Sequence, residues 1–88
     1  MYTYRPEVLQ ELERHGVRPT SHTDPERVRA YVRELYKYEI RRLRDRARRQ
    51  EFARSDYAAK VDALRREYPV LALQPSQFIL SDTPSSER

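Results

Sequence analysis

The sequence predicts a small all-α domain: three helices, with one long central helix (about residues 25–50) flanked by two shorter antiparallel ones, and an extended Pro-containing C-terminal segment. Three observations predict it. The chain has a single glycine and no run of β-branched residues, which argues against a β-rich fold. From Asp24 to Gln50 the apolar residues recur at helical spacing. Asp24-Pro25-Glu26 is a strong local start signal, with a capping carboxylate, a proline at the first helical position and an acid in the first turn.

The first helix is expected from about Pro6 to His15. Pro6 suits a first turn, where its missing N–H costs nothing, and Glu7 sits at the positive end of the helix dipole. Val8, Leu9 and Leu12 form a short apolar stripe. Gly16, the one glycine, falls where a left-handed C-terminal cap is needed. In the central helix, marking 100° per residue places Val28, Val32, Leu35, Tyr36, Ile40, Leu43 and Ala47 in one arc, the expected core stripe. A helix of that length spans ~40 Å at 1.5 Å per residue, more than an isolated globule of this size needs. A break is expected near Phe52–Arg54, with Ser55-Asp56 resembling a new cap. Tyr57, Val61, Leu64 and Tyr68 then mark a third helix ending before Pro69. Pro69–Leu80 is apolar but divided by prolines, which predicts an extended segment with one helical turn after Pro75. Residues 1–80 are therefore expected to form a single helical domain, and the small, polar stretch 81–88 a disordered tail.

Composition narrows the function. The 88 residues are 38% hydrophobic and 36% charged, so the core is thin. There are no cysteines, which excludes disulfides, thiolate metal sites and cysteine nucleophiles, and suggests a reducing, cytoplasmic setting. No apolar stretch approaches the ~20 residues needed to span a bilayer, and the first residues lack the apolar run of a signal peptide. The net charge of +4 is unevenly held: Asp24–Gln50 carries ten Lys or Arg against five Asp or Glu. Catalysis is not expected. Ser55, Ser76 and Ser81 have no nearby histidine to activate them, and one glycine cannot build a phosphate-cradling loop. His15 and His22 are the only histidines, and no third ligand accompanies His22 and Asp24. Neither a metal, a cofactor nor a small-molecule substrate is indicated.

What remains points to partners. Arg41–Arg49 holds six arginines in nine residues, and arginine forks onto phosphate or carboxylate. Arg41, Arg44, Arg46 and Arg48 are the candidate phosphate contacts, set against a reading in which their stems shield apolar surface. Tyr31 and Tyr38, seven residues apart, point away from the core arc beside Arg42 and Arg49, the residue types enriched at the centres of protein interfaces. Phe78, Ile79 and Leu80, after the second proline of the C-terminal segment and just before the tail, are a second candidate contact. Glu39 falls inside the apolar arc and calls for a partner, with Arg42 and Arg46 in helical reach and Tyr68 able to donate. The expectation is a non-catalytic protein–protein interaction or assembly module, self-association being one form of it. The alternative is a nucleic-acid-binding protein using the Arg-rich end of the central helix.

The stretch from Arg48 to Leu64 resembles the helix–turn–helix hairpin of short C-terminal oligomerisation modules in bacterial proteins. Those place a glycine and an aliphatic residue at the turn, where this sequence has Gln50 and Phe52. The resemblance covers about a fifth of the chain and implies no function of its own.

Overall fold

Helix caps set the architecture. A computed structural model describes residues 1–80, and the stretch 81–88, expected to be a disordered tail, lies outside them. The helices are α1 (Pro6–Arg14), α2 (Pro25–Arg48) and α3 (Tyr57–Arg66). No strand occurs among the described residues, although Tyr4 and Ile79 form an isolated antiparallel bridge. At the start of α2 the Asp24 carboxylate accepts the Glu26 N–H at 2.9 Å, as its place before Pro25 predicts. At the end of α1, Gly16 adopts φ 76°. The Val17 N–H reaches back to the Leu12 carbonyl at 2.9 Å and the Gly16 N–H to that of Glu13 at 2.9 Å. This pair of bonds is a Schellman cap, and Val17 closes onto the core as such a cap requires.

α2 ends in the same way but without a glycine. Gln50 sits at φ 59°, the Glu51 N–H bonds the Arg46 carbonyl at 3.1 Å and the Gln50 N–H that of Ala47 at 3.0 Å. A side chain in the left-handed region costs ~1–2 kcal/mol. Gln50→Gly is therefore expected to stabilise the fold by ~0.5–1 kcal/mol, after allowing for the looser unfolded chain. Urea denaturation would show this as a higher midpoint at unchanged slope. Past the cap, the expected break carries a 3₁₀ turn, Arg54–Asp56, before α3. Ser55 does not cap α3: the helix start has no side-chain cap, and Ser55 is taken up in the 3₁₀ turn.

The core lies at one end of the molecule. Tyr4, Val8, Leu12, Val28, Val32, Tyr68, Val70 and Phe78 are buried together, with Leu35, Tyr36, Leu64, Leu71 and Leu73 packed on them. The C-terminal segment is not extended throughout. It forms 3₁₀ turns at Pro69–Ala72 and Pro75–Gln77, each prolyl ring presetting φ for the first residue of its turn. The first turn contacts both α1 and α2, and the second contacts α2, so this segment is the filling between the helices. Beyond Glu39 the molecule thins to α2 and α3 alone. Leu43 is buried there, and no residue of α3 is. The result is an elongated body of 56 × 21 × 17 Å. Its radius of gyration is 16.4 Å, against ~12 Å for a compact chain of this length.

The junction of α1 with the end of α3 was not legible in the sequence. The His15 ring stacks on Tyr68 at 4.2 Å, and Tyr36 meets Tyr68 edge-on at 5.3 Å. His15 Nε2 lies 2.6 Å from the Glu67 carbonyl oxygen. That oxygen only accepts, so Nε2 carries the proton. Arg14 reaches the Glu67 carboxylate at 3.1 Å. Burial, and then the charges of Glu39 and Glu67, push the Tyr68 phenol above its ordinary pKa.

Candidate interaction surfaces

The solvent side of α2 resolves into two lines. At 100° per residue, Tyr31, Tyr38, Arg42 and Arg49 fall within an arc of ~40°, along a stripe ~27 Å long. Tyr31 is 56% exposed and Tyr38 54%, with Leu35 half-buried beside them. The stripe flanks the core arc rather than opposing it, because Leu35 and Val28 lie next to it around the helix. The Arg42 guanidinium stands 5.9 Å from the Tyr38 ring centroid, a cation–π arrangement of modest strength at an exposed site. The true outer ridge is cationic: Arg33, Lys37, Arg41, Arg44 and Arg48 follow one another at spacings of three and four.

Ion pairs divide the arginine cluster further. Glu51 sits just past the α2 cap and accepts from Arg49 Nε at 2.9 Å and Arg46 Nε at 3.0 Å. The bonds from Arg49 and then Arg46 hold the Glu51 carboxyl below its ordinary pKa. Arg46, expected as a phosphate contact, is thus tied to Glu51 and turned to the Phe52 ring, 5.6 Å from its centroid. Arg49, expected at the partner surface, is tied to the same carboxylate. Arg48 faces Asp45 at 3.9 Å and Lys37 faces Glu34 at 3.3 Å. Among the described residues, Arg33, Arg41, Arg42 and Arg44 have no acidic partner.

In the second expected contact, Phe78–Leu80, burial corrects the reading for Phe78 and Ile79. Phe78 is 0% exposed at the centre of the core, and Ile79 packs against that core while bridging Tyr4. Leu80 remains 41% exposed, although its N–H is fixed to the Thr3 carbonyl at 2.8 Å. The reason is long-range pairing: Arg5 N–H donates to the Phe78 carbonyl at 2.9 Å, which holds residues 78–80 against the N-terminus and turns Phe78 inward. The Glu39 pair is corrected too. Glu39 has no ion pair or hydrogen bond among the described residues; it is half-buried in a groove between α2 and α3 of about 420 Å³, lined also by Arg42, Leu43, Arg46, Lys60 and Leu64.

A second, distal cleft of about 880 Å³ opens where the chain turns from α2 into α3. Arg44, Arg48 and Arg54 line it together with Ala47, Phe52 and Tyr57. Phe52, Arg54 and Tyr57 escape a reading of separate helices, because only the docking of α3 on α2 brings them to Arg44 and Arg48. Among the described residues no group of three or more His, Asp or Glu could hold a metal, and no helix is long and apolar enough to cross a membrane. Comparison with protein-family models, curated proteins and solved structures finds no match to this chain.

Proposed function

We propose that this protein is a non-catalytic interaction module that docks another protein through the Tyr31–Tyr38–Arg42 stripe. The observation that carries this reading is the pair of large aromatic rings, each more than half exposed, set in line on a well-capped helix with Arg42 against one of them. Neither ring contributes to the core. Large aromatics and arginine on a rigid element are what interface centres favour. A net charge of +4, concentrated on α2, opposes close approach of two copies and favours a different, less basic partner.

The test is a comparison of the wild type with the double variant Tyr31→Ser/Tyr38→Ser. Both positions are exposed, so stability is expected to change by no more than ~0.5 kcal/mol. Partner affinity is expected to fall at least tenfold, since truncating an interface aromatic costs ~2 kcal/mol or more at a hot spot. Affinity capture from native lysate should recover a protein with the wild type and lose it with the variant. Recovery of the same set by both would overturn the reading. Sedimentation over a concentration series identifies a second copy as the partner if the wild type self-associates and the variant does not.

A nucleic-acid reading keeps one observation in its favour, the ridge on which Arg33, Arg41 and Arg44 form no ion pair among the described residues. Phosphate contact along it would make duplex affinity fall steeply with salt, so weak binding of a random duplex at low salt removes that reading.

A further inference from the structure

The distal cleft combines two features, a cationic rim and an apolar floor. Its rim carries three arginines and no acid among its lining residues. Its floor is apolar: Ala47, Phe52 and Tyr57 are half-buried, and the floor continues along α3, where Tyr57, Ala58 and Val61 line an adjoining groove. The nearby carboxylates do not neutralise it. Glu51 is engaged by Arg46 and Arg49, and Asp62 by Arg65 and Arg66. Asp45 lies 3.9 Å from Arg48 at an exposed site, where such a pair is weak. Asp56 is exposed at the start of α3.

Charge and shape select the occupant. A second copy placed symmetrically here would set Arg44, Arg48 and Arg54 against their own equivalents, which like-charge repulsion disfavours. A single nucleic-acid strand needs aromatic faces open for base stacking. The Phe52 ring, however, already carries Lys60 at 4.9 Å and Arg46 at 5.6 Å from its centroid. An acidic, amphipathic helical segment meets both demands: its aliphatic residues cover the Ala47–Tyr57–Val61 floor, and its carboxylates accept from the three guanidinium groups. We infer that the distal α2–α3 cleft is a docking site for an acidic amphipathic helix of a partner protein. This surface is separate from the Tyr31–Tyr38 stripe, so either can fail without the other.

The experiment is fluorescence anisotropy with a labelled, helix-forming peptide of glutamates with leucines at i and i+4, titrated with the full chain at low and moderate salt. Saturable binding that weakens with salt is expected. The variant Arg44→Glu/Arg48→Glu/Arg54→Glu should weaken it at least tenfold, and the neutral version Arg44→Gln/Arg48→Gln/Arg54→Gln, should the reversed one fail to fold by circular dichroism, several-fold. Reversing Arg18, Arg27 and Arg33 to Glu changes net charge equally but lies away from the cleft, and should leave most of the affinity. A peptide with its leucines replaced by glutamine should also bind at least tenfold more weakly. Tyr31→Ser/Tyr38→Ser should bind as the wild type does. Absence of binding, equal losses from the two arginine sets, indifference to the leucines, or tighter cleft-dependent binding of a thymidine oligonucleotide would each overturn the inference.

Discussion

Phe78→Ala is expected to destabilise the protein by ~3–5 kcal/mol, the usual cost of emptying a buried aromatic site. The effect is large because of where the ring sits. Phe78 is the largest fully buried side chain and shares one cluster with Val8 and Leu12 of α1, Val28 and Val32 of α2, and Val70. It is therefore the point at which three separate parts of the chain share one core. Its carbonyl also accepts the Arg5 N–H at 2.9 Å, so a loosened residue 78 releases the N-terminal segment along with the C-terminal one. Small domains hold a total stability of ~5–15 kcal/mol, this one toward the lower end given its thin core. The variant should then be substantially unfolded at moderate temperature, with far-UV circular dichroism reduced and the urea midpoint lost or far lower. Phe78→Leu keeps most of the volume and is expected to cost less than ~1.5 kcal/mol. The contrast with a surface role is direct. A residue reserved for a partner would leave the urea curve unchanged on replacement by alanine, and that result would remove Phe78 from the core.

The contrast also marks what the sequence could and could not reveal. Caps are local: Asp24-Pro25-Glu26 and Gly16 carry their own geometry, so the start of α2 and the end of α1 are readable from a few residues. Exposure along α2 is nearly as readable, since a period of 3.6 alone places Tyr31 and Tyr38 outside the core arc. The end of α2 is harder. Its left-handed position is filled by Gln50 rather than glycine, and the carboxylate that organises Arg46 and Arg49 comes from Glu51, which lies past the helix and off the three- and four-residue spacings of helical ion pairs. Residues 78–80 were beyond local reasoning altogether. Three successive apolar residues in a proline-divided strip can turn either side inward. The choice is made by pairing with Thr3 and Arg5, at the other end of the chain. The distal cleft was hidden for the same reason, because its two halves belong to different helices and meet only after folding.

A last result is expected from Arg29, an arginine indistinguishable in the sequence from its neighbours on α2. In the fold it is half-buried and forks onto the C-terminal segment: Nε donates to the Leu73 carbonyl and one terminal nitrogen to the Leu71 carbonyl, each at 2.7 Å. Both contacts are short, as bonds from a charged donor should be. They matter because the segment Pro69–Leu73 turns in a single 3₁₀ step and then leaves it, with carbonyls that no regular helix satisfies. Arg29→Met keeps the length of the stem and removes both donors. Bonds to a charged group contribute ~1.5–3 kcal/mol each, less where water can replace the donor, so a net loss of ~2–4 kcal/mol is expected. Arg29→Lys retains the charge but not the fork, and should recover only part of it. Hydrogen exchange separates this account from a general effect of charge. With methionine at position 29, protection should fall first in Val70–Leu80, before the amides of α2 itself open. Uniform loss across all three helices, or full rescue by lysine, would show that Arg29 acts as a charge on α2 and not as the clamp that closes the C-terminal segment over the core.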